Sequence, residues 1–174
     1  PIEPPFEIKS FALKGKTLYV IDQILNVYKT ELPRIDFIEL REIHPCVKIE
    51  ANDDTVVFLS VSGSLFFEDG DYVTGEFVDI ALGKDFVFAV DDRSDFYSIS
   101  IKGKEKNDEN VDTFIYNNMN NTNNKTIHEV RKKNLNNFVH AVSAAGNIPI
   151  LIISKNSFIV NDQVYKIASF ECSN

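Results

Sequence analysis

The sequence predicts an all-β fold built from degenerate, repeated β-hairpins. Three observations predict it. The apolar residues are of the strand-forming kind, fourteen Phe and six Tyr against one Met and no Trp, with Val and Ile plentiful. An apolar run that turns through Asp, Ser or Asn into a second apolar run recurs at residues 11–28, 49–66, 80–97 and 142–159. The second and third copies start 31 positions apart, the fourth starts 62 beyond the third, and the first starts 38 before the second. Such spacing belongs to one supersecondary unit used repeatedly. At 174 residues the chain has room for one domain with a substantial core.

Taken in order, residues 1–10 carry Pro1, Pro4 and Pro5, which block helix and favour an extended arm or edge. The first copy has apolar runs at 11–13, 17–21 and 24–28, broken at Gly15 and at Asp22-Gln23. Leu18, Ile21, Leu25 and Tyr28 also fit helical spacing, so this copy is the most ambiguous. Pro33 ends any helix, and the mixed apolar and acidic residues 35–43 are consistent with a strand. The centre is clearer. Val47, Ile49 and Ala51 alternate with Lys48 and Glu50, Asn52-Asp53-Asp54 turns the chain into 55–61, and Ser62-Gly63-Ser64 turns it into Leu65-Phe66-Phe67. Glu68-Asp69-Gly70-Asp71 is a strong turn, because Asp-Gly supplies the positive φ of tight hairpins. The cycle repeats through Gly83-Lys84-Asp85, the apolar run 86–90, the polar turn 91–95 and the strand 96–101.

Residues 102–137 break the pattern. A stretch this rich in Asn buries too little apolar surface to offset its ordering entropy, so residues 104–136 are expected to be a mobile insertion, with 111–116 able to form one more strand. The dense apolar runs 138–145 and 148–153 around Gly146-Asn147, and the hairpin 158–167, read as interior strands.

The clearest cycle, Ile80-Ala81-Leu82-Gly83-Lys84-Asp85-Phe86-Val87-Phe88-Ala89-Val90 followed by Phe96-Tyr97, resembles the repeat of the regulator of chromosome condensation family of β-propellers. Leu82-Gly83 matches the glycine before that family's turn, and Ala51 and Ala145 match the small residue near it. The family's turn-locking His is replaced by Asp85 or Asp54, and no copy ends in Trp-Gly. The resemblance covers about half of the chain. It implies a propeller-like scaffold and transfers no nucleotide-exchange activity. Four blades of roughly 40 residues would consume the whole chain, so the fold is expected to be an incomplete or compressed propeller, with a β-sandwich or barrel as the alternative. Uncovered strand edges of such an array call for a partner.

Charge gives the candidate site. The net charge is −8. Residues 50–95 hold twelve carboxylates against Lys84 and Arg93, a local charge of −10. Such a field disfavours nucleic acid and anionic lipid and steers a basic protein partner. The candidate partner-binding residues are Glu68, Asp69 and Asp71 on one turn and Asp91, Asp92 and Asp95 on another, expected at the same end of the fold. Acids that merely solvate turns are the plainer explanation.

No catalytic constellation emerges. His44, His128 and His140 lack Cys or acid neighbours at ligand spacing. Residues 91–95 lack the Gly and terminal Glu of a calcium loop. No Gly-x-Ser-x-Gly elbow frames a nucleophile. The turns Lys14-Gly15-Lys16 and Lys102-Gly103-Lys104 lack the remaining residues of a phosphate loop, and the basic run 130–133 is read as a solubility feature. Cys46 and Cys172 are expected to be reduced thiols, and the Asn-x-Thr matches at 120–122 and 124–126 are chance products of the Asn-rich run. No stretch reaches the roughly 20 apolar residues of a membrane span. The expectation is a non-enzymatic, intracellular scaffolding subunit without cofactor or metal. It would hold a protein partner in a hetero-oligomer through strand edges and acidic turns. The alternative is a small β-barrel that stacks nucleic-acid bases on Phe66, Phe67, Tyr72 and Phe96.

Overall fold

The computed structural model describes residues 5–43, 45–101, 130–133 and 138–167, and within them sixteen strands form four antiparallel sheets of four. Blade 1 is β1 (Ile8–Lys14), β2 (Thr17–Asp22), β3 (Val27–Glu31) and β4 (Ile38–Glu39). Blade 2 is β5 (Cys46–Ala51), β6 (Val56–Ser60), β7 (Leu65–Phe67) and β8 (Tyr72–Val73). Blade 3 is β9 (Phe77–Leu82), β10 (Phe86–Asp91), β11 (Phe96–Ser100) and β12 (Val130–Lys133). Blade 4 is β13 (Ala141–Ala145), β14 (Ile148–Ser154), β15 (Ser157–Val160) and β16 (Gln163–Lys166). Strand order equals chain order in every sheet, so each blade is a meander.

The blades cohere because the second strand of an inner blade is apolar on both faces. In β6, Val56 and Phe58 pack with Tyr19, Ile21 and Val27 of blade 1, while Val57 and Leu59 pack with Ile80, Val87, Ala89 and Ile99 of blade 3. Alternate side chains leave opposite faces of a strand, so a continuous apolar run means a sheet covered on both sides. Burying Phe58 in this way contributes ~2–3 kcal/mol. Ala81, Phe88, Val90 and Phe96 of blade 3 make the third core with Val142, Leu151 and Ile159 of blade 4. Among the described residues there are three such inter-blade cores, and blades 1 and 4 share none. β1 meets β5, β5 meets β9 and β9 meets β13, whereas β13 and β1 make no comparable contact. Among the described residues the four blades form an open arc.

Two ambiguities resolve and one expectation changes. The helical spacing of Leu18, Ile21, Leu25 and Tyr28 is coincidental: β2 and β3 pair there, and Leu25 sits in the turn with φ 73°. The sandwich and barrel alternatives give way to four separate sheets. Val130–Lys133, placed inside the insertion 104–136, is instead the outer strand of blade 3, pairing Lys133 with Phe96 and Val130 with Ile99. It satisfies backbone groups that β11 would otherwise leave at an edge. The rest of that insertion, including the possible strand 111–116, lies outside the described residues, as do His44, His128 and Cys172.

Candidate functional site

The turn between the second and third strands of blades 1–3 is locked by its first residue. Asp22 Oδ1 accepts hydrogen bonds from the backbone N–H groups of Ile24 (3.0 Å) and Asn26 (2.9 Å). Asp91 Oδ1 accepts from Arg93 (3.0 Å) and Asp95 (2.8 Å), and its Oδ2 from the Tyr97 hydroxyl (2.8 Å). Ser60 Oγ does the same for Ser64 N–H at 3.0 Å. Two residues before the returning strand, Leu25, Gly63 and Ser94 have positive φ, which lets four residues reverse the chain. Asx-type capping therefore explains several of the acids without invoking a partner.

The six candidate carboxylates separate accordingly. Asp91 is buried in its turn lock, and Asp71 is buried on blade 2. Asp95 makes an ion pair with Lys132 of β12 at 2.6 Å, and the same ammonium lies 5.6 Å from the centre of the Tyr97 ring. Asp69 is exposed, with Oδ1 accepting from Asp71 N–H at 3.1 Å, and Asp92 is exposed. Glu68 is anchored at the junction of blades 1 and 2, its side chain one-third exposed.

The two acidic turns lie at opposite ends of the strands, on opposite faces of the arc, which corrects the expectation that their fields add. The first turns of blades 2, 3 and 4 touch in series: Asn52 Nδ2 donates to the Gly83 carbonyl (2.8 Å), and Asp85 N–H donates to Asn147 Oδ1 (2.8 Å). Successive turns of a meander alternate ends, so 68–71, the third turn of blade 2, shares this end, beside Lys14 at the close of β1. Residues 91–95 are the second turn of blade 3 and fall at the other end, where Arg93 approaches Glu76 at 3.8 Å.

Between blades 1 and 2 is a cleft of about 380 Å³ that runs from residues 40–43 to Glu68. Phe58, Phe66, Leu40 and Ile43 supply its apolar lining, and Glu39, Glu42, Glu68 and Asp69, with Lys29 and Arg41, supply its charged groups. Arg41 pairs with Glu39 at 3.1 Å and Lys14, in the wall, with Glu68, so four carboxylates stand against three cations and leave the cleft weakly acidic. The lip formed by residues 40–43 is held by Leu40 N–H donating to the Val27 carbonyl (2.8 Å) and Ile43 N–H to the Leu40 carbonyl (3.1 Å). In its wall the Tyr19 hydroxyl donates to Glu68 Oε1, and Lys14 Nζ bonds Oε2 at 2.6 Å. Burial first, and the Glu68 carboxylate next, push the Tyr19 phenol well above its ordinary value. For Glu68, burial acts upward, but the hydrogen bonds from Lys14 and Tyr19 and the charge of Lys29 outweigh it and hold the carboxyl below its ordinary value. At neutral pH Glu68 is therefore ionised and Tyr19 keeps its proton, and the Lys14 ammonium offsets the charge of the carboxylate.

Sequence reasoning found Glu68 and Asp69 through the acidic turn but missed Tyr19, Lys14 and residues 40–43. Lys14 and Glu68 are 54 positions apart, and only blade-on-blade packing joins them. The aromatics considered for base stacking are turned inward: Phe66, Phe67 and Phe96 are buried, and Tyr72 stacks on Phe66 with ring centres 6.1 Å apart. Cys46 is buried between blades 1 and 2, where desolvation pushes its thiol up to about 12. His140 is exposed, edge-on to Phe138. Among the described residues no group of three His, Cys, Asp or Glu side chains is placed to hold a metal ion, and no helix is long and apolar enough to cross a membrane.

Neither a family model nor a curated protein matches the sequence. Solved structures match the fold. Human WBSCR16 superposes with TM-score 0.61 at 10% identity, over 92% of this chain and 50% of its own. Prp20p from Saccharomyces cerevisiae superposes with TM-score 0.58 at 13% identity, over 98% and 52%. The yeast RCC1 (Prp20) solved bound to Kap60 gives 0.58 at 13% identity, over 92% and 44%. The fold is that of an RCC1-like β-propeller. At this level of identity the likeness concerns architecture, and the chain spans about half the length of the propeller structures that it matches.

Proposed function

We propose that this propeller arc is a non-enzymatic, intracellular protein-binding scaffold, and that it holds a basic, extended segment of its partner in the cleft between blades 1 and 2. The observation that carries the reading is the joining of apolar and acidic side chains in one concavity, where Phe58 and Phe66 share the lining with Glu68 and Asp69. Apolar pockets with a few convergent polar groups are the usual form of a recognition site. Here the carboxylates favour Lys or Arg and the aromatics an adjacent apolar side chain. The short outer strands β4 and β8 on either side offer backbone groups to an extended chain. The matched structures lend support, since Prp20 is solved with Kap60 and Prp20p is described with binding to Gsp1p and histones. A complex with such a partner would be a hetero-oligomer. The exposed Asp92, at the far end, acts at most on the approach of a basic partner.

Fluorescence anisotropy with a labelled peptide of alternating Arg and Leu tests the reading. The expected result is saturable binding that weakens with added salt, and a several-fold loss of affinity together with a smaller salt dependence in Asp69→Lys. Asp92→Lys should leave the affinity within about twofold. Equal weakening by both reversals would assign the attraction to net charge and remove the cleft from consideration.

A further inference from the structure

We propose that Lys29 makes the cleft between blades 1 and 2 select a segment of mixed charge, in which an Asp or Glu of the partner docks on the Lys29 ammonium while Arg or Lys meets Glu42 and Asp69. The proposal rests on the partner-binding reading of the cleft and deepens it.

Strand register fixes where Lys29 stands. It is directly opposite Tyr19 on β2 and Ile38 on β4, and residues paired in this way carry their side chains on the same face of a sheet. Tyr19 reaches Glu68 of blade 2 from that face, so Lys29 belongs to the cleft wall. Its charge is felt at Glu68, where it helps hold the carboxyl below its ordinary value. The side chain is half-buried and also lines a second cavity of about 170 Å³, together with Thr17, Glu31, Arg34 and Asp36.

Pairing within the cleft leaves Lys29 over. Arg41 Nε holds Glu39 Oε2 at 3.1 Å. Glu68 is engaged at both oxygens, by the Tyr19 hydroxyl at Oε1 and by Lys14 at Oε2. In the smaller cavity Glu31 Oε1 accepts the Thr17 hydroxyl at 2.7 Å. Among the described residues Lys29, Glu42 and Asp69 make no ion pair. The cleft therefore offers an incoming segment two unpaired carboxylates and one unpaired ammonium.

A segment that fills the cleft takes water away from the Lys29 ammonium, and covering a charge without a partner is costly. An all-basic segment adds like-charge repulsion at that point. A carboxylate there removes both penalties. Glu42 and Asp69 attract cations, and Lys29 sets the position at which the segment must carry an acid instead.

Fluorescence anisotropy at low salt with the 174-residue chain tests the proposal. The probes are the alternating Arg and Leu peptide and a set in which each Arg in turn is replaced by Glu. Replacement at the position that meets Lys29 should tighten binding several-fold, although it lowers the charge of the peptide, and the other replacements should weaken it. Lys29→Arg should keep that gain, Lys29→Gln should abolish it, and Lys29→Glu should bind the all-Arg parent more tightly than the unchanged protein does. Should Lys29→Gln fail to fold by circular dichroism, Lys29→Met, which keeps the alkyl stem, replaces it. If every Glu replacement weakens binding, or if the gain persists in Lys29→Gln, the role of Lys29 is overturned and the cleft stands. Absence of saturable binding by the parent peptide and by every member of the set would remove the cleft itself, and the proposal with it.

Discussion

Glu68 shows how one carboxylate couples two blades. Lys14 ends β1, Tyr19 lies in β2 and Glu68 follows β7, so their hydrogen bonds exist only when blade 1 sits on blade 2. The folded state holds the Glu68 carboxyl below its ordinary 4.5. A group whose folded pKa is depressed stabilises the fold above the unfolded value, and that contribution is lost as pH falls through the folded one. Because the group is part-exposed and screened, the expected deficit of Glu68→Gln at pH 7 is only ~0.5–1 kcal/mol. Urea unfolding at a series of pH values should show this deficit shrinking below pH 4.5 and vanishing at more acidic pH. A deficit that stayed constant through that range would mean that the carboxylate charge contributes nothing.

At the scale of the element, the contacts between neighbouring turns leave little tolerance. A Cβ placed on Gly83 would lie 2.5 Å from the Gly146 carbonyl oxygen of blade 4. That oxygen also accepts the Lys84 N–H at 3.1 Å. Backbone cannot move aside as a flexible side chain does, so Gly83→Ala should displace blade 4 from blade 3 and cost ~1–3 kcal/mol. Gly146→Ala makes a useful comparison, since no atom lies within 4 Å of the added Cβ there and only the positive φ of 61° opposes it. Thermal unfolding of the two variants checks the ranking, and a Gly146 variant less stable than the Gly83 variant would show that turn strain outweighs inter-blade contact. β12 shows the converse economy of the fold: its Lys132 neutralises Asp95 and covers Tyr97, so a basic run with no obvious role in the sequence closes the edge of blade 3.

For the whole molecule, stability should follow the arrangement of the three cores. Blades 2 and 3 are packed on both faces, while blades 1 and 4 are packed on one. Repeat arrays gain most of their stability from nearest-neighbour interfaces. Hydrogen exchange at concentrations where the chain is monomeric should therefore find the slowest amides in β6 and β10 and faster exchange in β14 and β2. Uniform protection across all four blades in the monomer would indicate that the outer faces do not limit stability.

Hairpin periodicity, strand-type composition and turn residues were enough to read the all-β class and the repeated unit, because these are local properties of a few neighbouring residues. Leu82-Gly83 and the runs 86–90 and 96–101 lie where the sequence placed them. The acidic turn 68–71 was legible for the same reason. The face of the arc on which each acidic turn falls was not, since it depends on counting strands within a blade, and the sequence signal passes over short strands such as β8. Only the tertiary structure decided that Asp71 and Asp91 are buried, that Glu68 belongs to Lys14 and Tyr19, and that residues 130–133 join blade 3. It also decided that the arc is open. Each of these depends on pairing between residues tens of positions apart, and such pairing is set by the packing of one sheet on the next, which leaves no periodic mark along the chain.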